Sequence, residues 1–434
     1  MRLIPFFIRH FLPIGLIAAL GTVLFSAAAP AASTRVDGFG IEMSALPALT
    51  TGNVDAVVSL VAGTGIDYIT LEINWSQIES SPDVYDWSAV TPLDQLVSAA
   101  ANREMKVVAI LTGGPVYLAA GGQPVDRSAF GERWEKFVQA AAEHFGDTIN
   151  IWQIGSEVNG IYGTSSFLSP LSPQSISAPD AAFYAKLLRS ATKIIKQVDP
   201  NDQVWMGSLA GMASGECAMS PLTFMLEMNA NKAWKSADVV VYRPHQGAAA
   251  PEVQASGLGS SACSSNLISA PVSLPAEVQA VQELARQLGG KSVIISGLEW
   301  DASDLNSLAA GRAISTGQLE ADLLVRASAA LMAQNSISTI FWHTDISANL
   351  SARNALANLQ QALADAKPLG QLQGRAGTVH EYRFRQGGKV TSIAWRTQEG
   401  DTAYPVALAA EDIPSFTAYS ADAAALTADN GISI

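Results

Sequence analysis

The chain has 434 residues, 48% of them hydrophobic and only 15% charged, which supports a large core and excludes wholesale disorder. Lys plus Arg total 26 against 39 Asp plus Glu, and the net charge of -13 argues against nucleic acid and anionic membrane surfaces as partners. Residues 1–32 read as a signal peptide. Arg2 and Arg9 form a basic start, Phe11 to Phe25 is an uncharged apolar run, and Ala27-Ala-Ala-Pro-Ala-Ala-Ser33 offers small residues for cleavage. This implies a periplasmic or secreted location, with an uncleaved N-terminal anchor as the alternative.

From there the chain alternates short apolar, β-branched runs with longer segments of helical period. The expected strands are Gly38–Ser44, Tyr68–Ile73, Lys106–Thr112, Ile149–Ile154, Gln203–Gly207, Asp238–Tyr242, Ser292–Ser296 and Thr339–His343. Helical faces lie between them: Trp134, Phe137, Val138, Ala141 and Phe145 share one, and Phe183, Leu187, Leu188, Ala191, Ile194, Ile195 and Val198 another. Ser177 and Asp180 are spaced to cap the second of these helices. Eight alternating units predict an α/β fold, a (β/α)8 TIM barrel over 33–367 that satisfies every strand edge. An open doubly wound sheet would carry a Gly-rich phosphate turn after its first strand, and the sequence has none.

Two strand-to-helix loops are long, 155–180 and 243–275, and both should overhang the same face of the barrel. Cys217 and Cys263 stand in polar Gly/Ser-rich loops, which in an exported chain predicts a disulfide between them. Beyond Lys367 the pattern changes to strands at Val379–Arg385, Lys389–Arg396 and Tyr404–Ala409, with Gly387-Gly388 as a hairpin turn. Residues 368–434 are therefore expected to form a small β-domain, and the strand-like end at Gly431-Ile-Ser-Ile434 suggests that this domain is incomplete.

Two of the apolar runs end in a carboxylate. Ile149-Asn-Ile-Trp-Gln-Ile-Gly-Ser-Glu-Val-Asn159 delivers Glu157, and Val293-Ile-Ile-Ser-Gly-Leu-Glu-Trp300 delivers Glu299. A buried parallel strand ending in an acid presents that acid at the mouth of a barrel. Two such acids are what glycoside hydrolysis requires, one to protonate the leaving oxygen and one to stabilise charge at the anomeric carbon. Glu157 would be the general acid, in an apolar setting beside Trp152, and Glu299 its partner carboxylate.

With these residues the chain resembles clan A of the glycoside hydrolases, most closely family 39 and its exopolysaccharide-degrading relatives. Trp75-Ser-Gln-Ile-Glu-Ser-Ser-Pro-Asp-Val-Tyr-Asp-Trp87 is similar to the family's segment after the second strand, and Leu111-Thr-Gly-Gly-Pro115 to the end of its third. Ser156-Glu-Val-Asn159 resembles the Asn-Glu-Pro-Asn acid/base motif of strand four, and Phe341-Trp342 the sugar platform of strand eight. The strand-seven nucleophile motif, Thr-Glu-x-Gly-Trp in the family, reads Ser296-Gly297-Leu298-Glu299-Trp300. Gly297 therefore stands where the nucleophile belongs, and Glu299 lies two residues on, roughly 6–7 Å further along an extended strand. Three supporting positions differ as well: the Asn before the acid is Ser156, the second-strand Arg is Thr70, and the strand-six His is Arg243.

The resemblance implies an exported hydrolase of O-glycosidic bonds in a polysaccharide or oligosaccharide. The alternative is a catalytically degenerate barrel that binds glycan in polysaccharide export or assembly. Candidate catalytic residues are Glu157 and Glu299. Candidate substrate-binding residues are Trp75, Ser156, Asn159, Arg243, His245, Trp300 and Trp342, with the indoles of Trp300 and Trp342, which end strands, as stacking surfaces. Glu42 and Glu72 on the first two strands are expected to be hydrogen-bond partners inside the barrel, and His343 a hydrogen bonder lining the cleft. A displaced Glu299 could also pair with Arg243 in a purely structural role. No cofactor and no metal site is implied, since no third ligand accompanies the histidines.

Overall fold

A computed structural model describes residues 35–115, 117–118, 126–160, 180–211, 218–253, 272–311, 314–335, 337–372, 379–396, 418–419 and 425–426. Eight parallel strands form the centre: β1 Gly38–Glu42, β2 Tyr68–Asn74, β3 Lys106–Thr112, β4 Ile151–Ile154, β5 Gln203–Met206, β6 Val239–Arg243, β7 Ser292–Leu298 and β8 Thr339–Trp342. Each pairs with its neighbours in parallel, and β8 pairs back onto β1 through Gly38↔Thr339 and Ile41↔Trp342, so the sheet closes on itself. All eight expected strands are present, with ends shifted by a few residues. A two-residue strand not anticipated from the sequence, Leu209–Ala210, runs beside β6.

The barrel interior is a packed layer. Tyr68, Val108, Ile151, Trp205, Val241, Ile294 and Phe341 form one buried cluster, one residue from each of seven strands. β1 contributes Gly40, where a Cβ would meet Tyr68 Cβ at 3.0 Å and fall closer still to the Phe341 ring. Glycine is thus required there to admit two aromatic neighbours. The opposite strand faces point into the helix layer. There α1 (Val54–Ala62), α2 (Thr91–Ala101), α3 (Arg127–Phe145), α4 (Ala181–Val198), α5 (Pro221–Ala230), α6 (Leu274–Gln287), α7 (Thr316–Asn335) and α8 (Leu350–Leu363) cover the barrel.

The helical faces read from the sequence are the buried ones. Trp134, Phe137, Val138, Ala141 and Phe145 of α3 are all buried, as are Phe183, Leu187, Leu188, Ala191 and Ile195 of α4. Burying one such side chain stabilises by about 1.5–3 kcal/mol, so these stripes rather than helix propensity fix the outer layer. Asp180 caps α4 by accepting from Phe183 N at 2.8 Å, and Asp126 caps α3 from Ser128 N at 2.8 Å.

After α8 the chain forms a three-stranded antiparallel sheet, β9 Lys367–Gln371, β10 Val379–Gln386 and β11 Lys389–Arg396. Gln386 pairs with Lys389 across the Gly387-Gly388 turn, and Gly387 has φ +57°, the left-handed geometry such turns need. β9 has no counterpart among the expected strands, because Lys367-Pro-Leu-Gly-Gln carries no alternating pattern. Phe384 and Tyr382 are buried, and Arg326 of α7 stands over the Trp395 ring at 5.7 Å, so this sheet packs on the barrel's helix layer. The expected signal peptide, the strand at 404–409 and the 431–434 end lie outside the described residues. Among the described residues, no helix is long and apolar enough to cross a membrane.

Candidate active site

Strand alternation builds the mouth of the barrel. Two residues beyond the packed layer on each strand, the side chain again points inward, but now above the apolar ring. From Gly40, Ile151, Val241, Ile294 and Phe341 this step reaches Glu42, Gln153, Arg243, Ser296 and His343. A polar layer therefore sits on the apolar one at the C-terminal end of the strands, where barrel enzymes place their chemistry. Glu72 of β2 points the same way, exposed, and accepts from Thr112 Oγ1 at 2.5 Å.

Glu157 reaches this layer through a tight turn after β4. Gly155 has φ +87°, and Glu157 itself has φ +49°, a left-handed conformation that costs a non-glycine residue about 1–3 kcal/mol. The turn is pinned from β5's extension: Ser208 Oγ accepts from Glu157 N at 2.8 Å and lies 3.1 Å from Ser156 Oγ, while Ser208 O accepts from Val158 N at 3.0 Å. Asn159 accepts from Ala210 N at 2.7 Å and donates to Ala210 O and Met219 O. The surroundings over-determine a strained backbone, and the strained residue is the candidate acid.

Arg243 is the hub. Its Nη1 lies 2.8 Å from Glu42 Oε2, its Nε 3.1 Å from Glu157 Oε1 and its Nη2 2.6 Å from Glu299 Oε1. The Glu157 contact is an ion pair without an aligned hydrogen bond. Both Glu157 and Glu299 touch one guanidinium, so those two oxygens lie within about 8 Å of each other. Glu42 also accepts from Ser296 Oγ at 2.5 Å, and Glu299 is hydrogen-bonded to His343 Nδ1. His245 Nε2 stands 4.0 Å from Glu157.

Glu299 does not sit where an extended strand would carry it. On β7, Ile295 pairs with Ile340 and Leu298 with Trp342, three residues against two. That bulge, with Gly297 at φ +62°, takes up one residue and re-aims the chain beyond it into the mouth. The displacement expected from spacing alone is corrected by this kink.

Burial pushes the Glu299 carboxyl up, but the His343 hydrogen bond and the charge of Arg243 outweigh it and hold it at about 2. Burial likewise opposes the charge on Arg243, and Glu42, Glu299 and Glu157 together hold its pKa well above the usual value. For His343, burial pulls down while the bond to Glu299 and the charges of Glu299 and Glu42 win, leaving the imidazole more basic than usual.

The three indoles expected to bind sugar are buried. Trp75 is fully buried, with its ring stacked on Phe137 at 5.1 Å and its Nε1 donating to Glu79 at 2.5 Å. Trp342 is fully buried on the helix side and donates to Ser328 Oγ at 3.0 Å. Trp300 is buried and donates to Ala249 O at 2.8 Å. These three pack the wall of the barrel. Asn159, expected to bind substrate, is buried and spends its amide on the turn. Trp152 does not flank Glu157: it faces the helix layer and donates to Asp202 Oδ2 at 2.9 Å. Of the expected binding residues, Ser156, Arg243 and His245 remain at the mouth. Cys217 and Cys263, and most of the two long loops, lie outside the described residues.

Sequence reasoning placed Ser208 in no role, since a serine after a strand carries no signal of its own. His343 and Glu42 were legible by counting in twos from the apolar layer.

No protein-family model matches the chain, and no curated protein matches it. Solved structures do. A family 39 glycoside hydrolase from the gut symbiont Bacteroides cellulosilyticus WH2 superposes with a TM-score of 0.67 at 16% identity, covering 92% of this chain and 78% of that one. At this identity the likeness is one of fold, a closed (β/α)8 barrel. A GH30 endoxylanase from Clostridium papyrosolvens C71 (TM-score 0.53, 12% identity, 85% and 83% covered) shares this fold. So does the family 30 subfamily 8 xylanase Xyn30A from Clostridium acetobutylicum (TM-score 0.52, 11% identity, 87% and 84% covered).

Proposed function

We propose that the protein is an exported glycoside hydrolase that cleaves O-glycosidic bonds of a polysaccharide, with Glu157 as general acid/base and Glu299 as nucleophile. The observation that carries this reading is the shared guanidinium, which brings the two carboxylates together at the barrel mouth. The bound of about 8 Å between those two oxygens is compatible with a glycosidase pair, for which roughly 5–5.5 Å supports retention and roughly 6.5–9.5 Å inversion. The electrostatics favour retention. A carboxylate held at about 2 is a poor general base near neutrality but is fully ionised, as a nucleophile must be.

In the first step Glu299 attacks the anomeric carbon as the glycosidic C–O bond breaks, and Glu157 gives its proton to the leaving oxygen. The product is a glycosyl ester on Glu299. In the second step Glu157 takes a proton from water, the water oxygen attacks the same carbon, and Glu299 leaves as carboxylate. Export is supported by the basic start, apolar run and small residues of the first 32 positions. That reading carries with it the Cys217–Cys263 disulfide, the barrel over 33–367 and the β-domain over 368–434.

The test is a screen of bacterial exopolysaccharides, xylans and aryl glycosides, then the anomeric configuration of the first product by NMR. Glu157→Gln should lower turnover by at least about 100-fold while the circular dichroism spectrum stays unchanged. Undiminished turnover would remove Glu157 from the mechanism. One observation favours the second reading, glycan binding without cleavage: Arg243 pairs with Glu157, Glu299 and Glu42 at once, so both candidate carboxylates are already engaged in ion pairs. Calorimetric affinity for a glycan with no reducing ends released would decide for it.

A further inference from the structure

Position 297 and Arg243 exclude one another sterically. A Cβ built on Gly297 would fall inside the guanidinium, meeting Nη1 and Cζ and lying 2.7 Å from Nε. Real Cβ atoms do not approach heavy atoms that closely, and the guanidinium, although the end of a long side chain, is held in place by three carboxylates. Gly297 also has a left-handed φ of +62°, which disfavours any side chain. From this seat Arg243 reaches carboxylates on β1, after β4 and after β7 with three different nitrogens. Its own side chain is only 11% exposed, so the seat is enclosed.

The glycine therefore opens the space that the arginine fills. We propose that Arg243 is a positioning residue that occupies the space left open at Gly297 and, from there, aims the carboxylate of Glu299 at the sugar. The proposal rests on the glycosidase reading above and adds the device that makes a shifted nucleophile workable. Glycine at 297 is then a condition of activity, not a mark of its loss. Glu42, tied to Ser296 at 2.5 Å and to Arg243 at 2.8 Å, fixes the far side of the same fork.

The test uses the full chain with Gly297→Ala, Arg243→Lys and the double variant. Lysine keeps the positive charge but has no plane above residue 297. In the arginine background Gly297→Ala should lower kcat roughly 100-fold, as expected for a reacting group misplaced by about 1 Å, with KM within about threefold. The acid limb of the pH–kcat profile should move upward, because Glu299 loses part of its clamp. In the lysine background the alanine should cost little further in kcat, and its loss of thermal midpoint should be smaller than in the arginine background, leaving only the strain of the left-handed φ.

Unchanged kcat and an unmoved acid limb in Gly297→Ala would overturn the proposal. So would equal losses of thermal midpoint from the alanine in the two backgrounds, which needs no turnover to measure. If the wild type hydrolyses none of the screened glycosides, the glycosidase reading fails and the positioning role of Arg243 fails with it. Equal losses of midpoint in an active wild type sink the positioning role alone.

Discussion

Glu299→Gln isolates the electrostatic worth of the clamp. The carboxyl moves from an ordinary value of 4.5 to about 2 in the folded protein, and its side chain is only 19% exposed. At 1.36 kcal/mol per pKa unit, that preference for the charged form stabilises the folded state by about 3 kcal/mol. Arg243 and His343 feel the same contacts from the other side, so their shifts are not added. Because the folded value is depressed, the stabilisation is fully present above about 4.5 and disappears as the pH falls toward about 2. For a chain of this length about 3 kcal/mol corresponds to a loss of about 4 °C in thermal midpoint. Thermal midpoints of wild type and Glu299→Gln, measured by circular dichroism at pH 7, 5, 4 and 3, provide the assay. The gap between the two should be widest at pH 7 and close progressively below about pH 4.5. A gap that stays constant over the whole series, or is absent at pH 7, would refute an ionised and clamped Glu299.

His343→Asn removes one of the groups that hold Glu299 down, so the acid limb of kcat/KM should move to higher pH; an unmoved limb would separate His343 from Glu299 in function. Trp342→Ala should act on stability, at about 3–5 kcal/mol by denaturant titration, with KM unchanged wherever the protein remains folded; a rise in KM at intact stability would restore the indole as a sugar platform. Gly40→Ala should cost about 1–3 kcal/mol, since the methyl enters the Phe341 ring and Tyr68 Cβ, and a neutral result in urea unfolding would contradict the packed interior layer.

The architecture was legible because a closed parallel barrel writes itself simply. Strands buried on both faces appear as unbroken apolar runs such as Val107-Val-Ala-Ile-Leu111, and the intervening helices carry one stripe each. The site was legible in part. Glu157 and Glu299 stand out by their place at strand ends, and the pairing of Arg243 with Glu299 is open to sequence reasoning as a contact between opposite charges. The indoles mislead because a tryptophan at a strand end has two faces to choose from. Parity settles that choice: Phe341 points inward, so Trp342 must point outward and His343 inward again. The kink at Gly297 was not legible, since glycine permits a left-handed backbone without demanding one, and only the unequal pairing of β7 with β8 reveals it.

The close approach of Arg243 to Gly297 makes the two positions dependent on each other. A side chain at 297 needs the guanidinium to move first, because it already fills the room a Cβ requires. Arg243 in turn cannot depart alone, since Glu42 would be left as an uncompensated charge with little access to water. A change at either position is therefore expected to call for a change at the other, so Gly297 and Arg243 behave as one unit under substitution.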